Sequence, residues 1–456
     1  MEYKKILSTG LIVSLFSLNT LPVCAGIFNK KNKVIKSQVS EYKFENVNLD
    51  WWKNYNDDYL EGYIVKAINN NQDLKIATLR VEQARQNVKL QFANELPNAS
   101  VGVSPLLYKF SGVRNTEISW GFPLMMNYEA DLFLKNHDKT KSAKKLYEMS
   151  QLQEKAIYIA IASQVGAAYF NIVKLDELIS IQEEIIQDRK LIFDLMKERN
   201  AMGITSTADT TRAEKAYVLA VADLSDLKKA RSIMLNALAV LTGDSPNNVH
   251  EYKRIPYQEL VYNKPIPKSI PSEIITQRPD YLAAEKNVEK AGIDVRVAKK
   301  EFLPDINLMG LLFFNTNSLG ASFNWENALA AVLGQAMLPI FTGGAKFANL
   351  RLYKNQYEQI LQEYYKTNLV AMQEVNDSLS SLNLDKEKHH KNLESYEMQK
   401  KDYNYMKVRY EQGIISYLDL LQQKETLLVM GKMVAASKTD CFIDQINLYK
   451  AVGGKL

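Results

Sequence analysis

Residues 158–196 read YIAIASQVGAAYFNIVKLDELISIQEEIIQDRKLIFDLM. Tyr158, Val165, Ile172, Ile179, Ile186 and Phe193 recur every seven residues, while Leu175, Leu178, Ile185, Ile192 and Met196 trace a second seam on a neighbouring face. Heptads mark a helix that packs along its length, and two seams place it between two neighbours. The pattern predicts one helix from near Lys139 to Met202. At the rise of an α-helix, about 60 residues reach about 90 Å, longer than a compact core uses. Ala160, Ala162, Gly166, Ala167 and Ala168 near its start let neighbours approach closely.

The same pattern returns downstream. Val375, Leu382, His389, Tyr396, Tyr403 and Tyr410 are again seven apart, 210 positions after Val165 and its successors, so His389 reads as an interface position rather than a ligand. Upstream, Asp73, Ala77, Glu82, Ala84 and Val88 run to Leu96-Pro97, and Asp280, Ala284, Glu289, Ala291 and Val295 run to Leu303-Pro304, each 207 later. Gly203-Ile-Thr-Ser206-Thr-Ala-Asp209 is matched by Gly413-Ile-Ile-Ser416-Tyr-Leu-Asp419. A period this long means two copies of a large unit, not a solenoid. We expect a first repeat over 26–254 and a second over 255–456, each a helix, a strand pair, a very long helix, a turn and a helix.

The first strand pair is expected between Asn98 and Leu124, with Ile118, Trp120, Phe122 and Leu124 on an apolar face and Glu117, Ser119, Gly121 and Pro123 on a polar one. The second is expected between Asp305 and Phe341, with Asn315 to Asn324 as its loop. Four strands cannot close a barrel, and an open sheet edge cannot sit in lipid, so the strands must be pooled between chains.

The chain opens with Lys4-Lys5, an apolar run from Ile6 to Phe16, and Leu21-Pro-Val-Cys24-Ala25, a secretory signal expected to end at residue 25. Cys24 is either removed with it or, as in a lipoprotein, becomes the acylated first residue. Beyond the signal no stretch of about 18 apolar residues is expected, so a bilayer would be crossed by strands. Cys24 and Cys441 are the only cysteines, which argues against a structural disulfide. The four histidines form no metal-binding motif, no nucleophile or phosphate-loop motif occurs, and no Lys/Arg block suggests nucleic acid. No cofactor and no enzymatic activity are expected.

Gly203 and Gly413 each close a long helix, as expected where the backbone needs φ > 0. Ser206 and Ser416 stand as N-caps, with Asp209 and Asp419 in capping-box positions. Capping alone accounts for both aspartates. If several such tips gather round an axis, Asp419 would instead form a ring of like charge in a narrow opening, with Tyr410 as a plug.

Several strings, taken in order, resemble the TolC-like outer-membrane efflux proteins, within them the multidrug branch often made as lipoproteins. They are Trp51-Trp52, Asn70-Asn71-Gln72-Asp73-Leu74, Tyr128-Glu129-Ala130-Asp131-Leu132-Phe133, Gln277-Arg278-Pro279-Asp280, Leu338-Pro339-Ile340-Phe341-Thr342-Gly343-Gly344, the segment Tyr410 to Leu421, and Leu448 to Gly454. The resemblance implies a homotrimer with a 12-stranded barrel in outer-membrane lipid and a helical tunnel through the periplasm. It implies docking with a periplasmic adaptor and an inner-membrane pump. Adaptor contacts would fall on the tips carrying Gly203, Ser206, Asp209, Gly413 and Ser416, and the periplasmic gate on Tyr410, Leu418 and Asp419. Gln422 stands where relatives often place a second aspartate ring, and Ile415 where some have a gate arginine, so Asp419 would act alone. A conduit for a type I protein exporter would share this architecture.

Overall fold

The structure, a computed structural model, describes residues 51–108, 117–247, 252–262, 270–316 and 325–454. The expected signal peptide, Cys24 and most of the Asn315 to Asn324 loop lie outside the described residues. A 3-10 turn, Trp51–Tyr55, leads into α1 (Asp58–Asn70) and α2 (Gln72–Ala93), then β1 (Asn98–Val101), β2 (Ser104–Tyr108) and β3 (Glu117–Glu129). Helices α3 (Lys135–Ala201) and α4 (Thr207–Thr242) complete the first half. The second half runs α5 (Pro279–Lys300), β4 (Asp305–Thr316), β5 (Ala328–Met337), α6 (Ala345–Glu411) and α7 (Tyr417–Ala451). α2 and α5 are both 22 residues long, and α3 and α6 are both 67. Their starts keep the offsets of 207 and 210 read from the sequence.

The rod α3 begins four residues earlier than expected, because Asp131 caps it. One carboxylate oxygen accepts from the Lys135 amide at 2.6 Å and the other from the His137 amide at 2.8 Å, while Leu134 takes the left-handed conformation at φ 57°. α6 starts instead from Gly343 and Gly344, with φ of 58° and 83°, where glycine has no Cβ to strain.

α3 also corrects the expectation about apolar runs. It contains an 18-residue window of mean hydropathy 1.5, long and apolar enough to cross a membrane, yet 67% of that window is buried inside the chain. The sequence cannot separate a buried rod from a span, because both are apolar all round. Here Val165, Tyr169, Phe170 and Ile172 are fully buried. An aromatic knot holds this stretch: Tyr55 lies 4.9 Å from Phe170 and 5.7 Å from Phe442, and Trp51 lies 5.3 Å from Tyr449. Gly166 makes the room, since a Cβ there would stand 2.7 Å from the Trp51 ring. Tyr169 donates to Asp57 at 2.6 Å and accepts from the Ile255 amide at 3.0 Å.

The strands form one antiparallel sheet in the order β1/β2, β3, β4, β5. β1 and β2 are two pieces of one strand, pairing with β3 in a single register. The break faces Pro123, whose carbonyl accepts from the Gly102 amide at 2.9 Å but which has no N–H to return. Among the described residues the sheet therefore has four strands, as expected. β3 runs five residues past Leu124, and β5 stops at Met337, before Pro339, so Phe341 belongs to the connection. The expected polar face is mixed. Pro123 pairs with Phe313, and the Phe313 ring covers Gly121, where a Cβ would meet it at 2.7 Å. A bare glycine exposes backbone that an aromatic ring can cover, which alternation alone does not announce.

Candidate functional site

At the hairpin end the helices form a single layer in the order α4, α3, α7, α6, with α2 and α5 packed beside the long rods nearer the sheet. The two middle helices are joined by polar links spaced along their length. Lys174 meets Asp440 at 3.0 Å, Lys424 meets Glu184 at 2.8 Å and Asp188 at 3.0 Å, and Arg189 meets Glu425 at 2.6 Å. Lys432 donates to the buried Gln182 side chain, which donates in turn to the Ala220 carbonyl at 2.7 Å. Burial alone would lower the Lys424 pKa, but its two carboxylate partners outweigh that and raise it. The sequence reading missed this ladder. Its signal is polar residues at heptad positions, since Gln182 and Arg189 stand seven and fourteen residues after Leu175.

The contact between α6 and α7 includes neutral pairs as well as the Lys388 and Asp440 approach at 3.9 Å. His389 Nδ1 lies 3.1 Å from Ser437 Oγ and Gln399 donates to Gln423 at 2.9 Å. Burial and the nearby Lys438 lower the His389 pKa, favouring a neutral ring at an interface.

At the first tip Gly203 has φ 73°, and the Ser206 hydroxyl accepts from the Asp209 amide at 3.1 Å and donates to its carboxylate at 2.7 Å. Arg212 takes the other Asp209 oxygen at 3.0 Å. At the second tip Gly413 has φ 74° and the capping box is reciprocal: Ser416 Oγ accepts from the Asp419 amide at 3.2 Å, and the Ser416 amide donates to Asp419 at 3.1 Å. The Ser416 hydroxyl and amide hold the Asp419 carboxyl below its usual range, so it is a charged group at neutral pH. Tyr410 and Tyr417 rings lie 5.6 Å apart, Leu418 and Ile415 are half-buried, and Gln422 is exposed. The second-tip residues read from the sequence thus lie together between the last turn of α6 and the first turns of α7, with Tyr410 39% exposed.

The strings that carried the resemblance have structural work. Arg278, 6% exposed, clamps Asp280 at 2.7 Å, Glu374 at 2.5 Å and the Ala451 carbonyl at 2.7 Å. Gly453, at φ 67°, lets the end of α7 approach the Arg278 backbone, which a Cβ would meet at 3.1 Å.

Among the described residues the sheet and the helical layer each end on two unpaired edges. The sheet ends on β1/β2 and on β5, and the helical layer ends on α4 and on α6. Along the outer helices Val218, Val240, Leu369 and Leu384 are each more than half exposed, and on β5 Val332 is 83% exposed. Exposed apolar surface on this scale marks an interaction face. These are features of a channel protomer that adds strands to a shared barrel and rods to a shared tube. The sequence matches the family described as outer membrane efflux protein over residues 63–244 and 270–454, and the chain belongs to that family. It is an outer-membrane protein of a family of transport ducts.

Relatives agree over most of their length. The probable efflux pump outer membrane protein TtgC of Pseudomonas putida is 26% identical over 412 residues, 89% of this chain and 84% of its own. The probable outer membrane lipoprotein SilC of Salmonella typhimurium is 25% identical over 88% of this chain and 87% of its own. The crystal structure of the Campylobacter jejuni CmeC outer membrane channel superposes with a TM-score of 0.82 at 24% identity, covering 94% of this chain and 93% of that one.

Proposed function

We propose that three copies of this chain assemble into the exit duct of a tripartite efflux system, each giving four strands to a 12-stranded barrel and its rods to a periplasmic tube. An inner-membrane pump supplies the energy, and a periplasmic adaptor hands small molecules to the duct, which is itself passive. One observation carries this reading: among the described residues the sheet ends on β1/β2 and β5 and the helical layer on α4 and α6, and further copies can close both. We take the chain as two repeats divided near 254, and Cys24 as a lipidation site, in keeping with the lipoprotein SilC.

In this reading the adaptor meets the tips at Gly203, Ser206, Asp209, Gly413 and Ser416. Tyr410, Leu418, Asp419 and Gln422 line the periplasmic gate, where copies of Asp419 form a ring that favours cations while the aromatic and apolar residues narrow the opening. Asp419→Ala with Tyr410→Phe is expected to raise single-channel conductance in planar bilayers; unchanged conductance removes both from the gate. Deletion of the protein is expected to sensitise cells to drugs. Loss of a secreted protein with unchanged drug sensitivity would instead favour a type I exporter.

A further inference from the structure

α5 and α6 pack together within the chain, and a groove of about 610 Å³ runs along one side of their contact. Glu285, Val288, Gly292 and Arg296 stand at i, i+3, i+7 and i+11 of α5, and Tyr357, Leu361 and Tyr364 at i, i+4 and i+7 of α6, so each helix turns one stripe into it. Gly292 keeps the floor low, since a Cβ there would meet only the Tyr357 ring, at 3.7 Å. The Tyr364 hydroxyl is tied to that of Tyr281, with the two ring centres 5.3 Å apart, which fixes the aromatic wall. A volume of this size takes a drug-sized molecule.

The charges along the groove are unequal. Glu289 is neutralised by Lys145 and Lys286, each at 2.8 Å, and Arg296 approaches Asp138 at 3.5 Å. Glu285 is exposed, and among the described residues no cation lies within ion-pairing distance of it. A hydrogen bond with Tyr281, then burial, then the charges of Tyr281 and Glu285 push the Tyr364 phenol up to about 12, so the Glu285 carboxylate stands near this ring. One end of the groove therefore joins a free carboxylate to tyrosine rings, the combination that holds an organic cation.

The first repeat shows that this is not a general feature of the unit. Displaced by 207 and 210, Glu285 becomes Thr78, Gly292 becomes Arg85, Leu361 becomes Gln151 and Tyr364 becomes Glu154. There Thr78 donates to Glu154 at 2.6 Å and Gln151 donates to Tyr147 at 3.1 Å, so the corresponding polar groups satisfy one another. In the second repeat the same places hold a glycine, a leucine, a tyrosine and an unpaired acid.

Resting on the efflux reading, we infer that the groove between α5 and α6 is a binding site on the duct wall for an amphipathic aromatic cation, a cargo class of the duct. The cationic head lies against Glu285 and Tyr364, and the apolar body lies over Gly292 between Tyr357 and Ile293. Arg296 at the far end repels a head placed the other way round.

The test is ethidium, a flat aromatic cation, titrated into the purified protein and read by its fluorescence, with neutral phenylnaphthylamine as the second probe. Gly292→Leu fills the groove and favours the helix, and is expected to weaken both probes at least about tenfold. Glu285→Gln is expected to weaken ethidium about fivefold and to leave the neutral probe within about twofold. Glu363→Gln, in a separate cavity between the same helices, is expected to leave ethidium within about twofold. If Gly292→Leu fails to fold, Tyr357→Leu removes the ring and is expected to weaken ethidium about fivefold. Ethidium binding unchanged in the folded groove variant overturns the site. An equal loss of both probes in Glu285→Gln, or a loss of ethidium in Glu363→Gln as large as in Glu285→Gln, overturns recognition of the cation. The groove lies within one chain, so these titrations do not depend on the number of copies. Unchanged drug sensitivity on deletion would overturn the efflux reading separately, and with it the role of the bound cation as cargo.

Discussion

α3 and α6 have the same length and the same place in their repeats, yet α3 buries 23 of its 67 residues while α6 buries Ala371, Val375 and Leu382 alone. Val165 and Val375, and Ile172 and Leu382, are equivalent and buried in both, so the seam facing the other long helices is common. The difference lies around it. α3 is enclosed by α1, α2, α4, α5 and α7, whereas α6 has α5 and α7. One rod is a core element of the protomer, and the other is finished only by what lies outside it. Equal heptad patterns can thus sit in unequal surroundings, because a heptad states that a face is covered and not by which chain.

The largest effect expected from this contrast is Phe170→Ala on α3. It empties a fully buried site among Tyr55, Tyr169 and Phe442 and should cost about 3–5 kcal/mol. Leu384→Ala on α6, where the side chain is 62% exposed, should move the thermal midpoint of the protomer far less. Equal losses in thermal unfolding would dissolve the distinction between the rods.

Next is Gly166→Ala. A methyl there stands 2.7 Å from the Trp51 ring and 2.9 Å from Ile446. Overpacking of about 1–3 kcal/mol is offset in part by the roughly 1 kcal/mol that alanine gains over glycine in a helix. Asn376→Ala at the equivalent exposed position of α6 should be neutral or slightly stabilising, as read by the same unfolding curves.

The third prediction concerns α7, which lies between the two rods. Burial, a hydrogen bond with Asp385 of α6 and the charges of Asp385 and Asp440 push Asp444 up to about 6. A raised carboxyl pKa means the native state holds a proton the unfolded chain releases near 4. Its stabilisation is present below about pH 4 and lost as pH rises through about 6. Asp444→Asn should flatten stability between about pH 4 and 6 and, with solvent screening discounted, raise it by about 1 kcal/mol at pH 8. A pH profile that keeps its slope in the variant would assign that slope elsewhere.

The smallest effects belong to the tips. Ser416→Ala dissolves a reciprocal capping box and should cost about 1 kcal/mol, whereas after Ser206→Ala the Asp209 carboxylate keeps Arg212 and the loss should be smaller. Hydrogen exchange at the first turns of α7 and α4 measures the two directly. An equal loss at both would show that Arg212 does nothing for its cap.

Much of the fold was legible because it is written in periods. The two rods, their glycine stops, the capping serines and the four strands follow from heptads, alternation and turn residues, all local properties. Their boundaries were less so: Asp131 extends α3 through a cap four residues upstream of its first residue, and Pro123 on β3 divides the facing strand into two by the bond it cannot make. Of the proposed gate, the sequence supplied the residues that share the second tip, while the ladder that ties α7 to α3 was hidden in polar residues occupying apolar positions.

The sequence by itself determined that this chain is two copies of a strand-and-rod unit with capped tips, since backbone hydrogen bonding and side-chain periodicity act over short separations. Only the tertiary structure decided that an apolar 18-residue stretch is a buried core and not a membrane span, and that α3 lies inside while its twin α6 lies at an edge. Those outcomes depend on which distant segments arrive alongside, and a period carries no record of its neighbour.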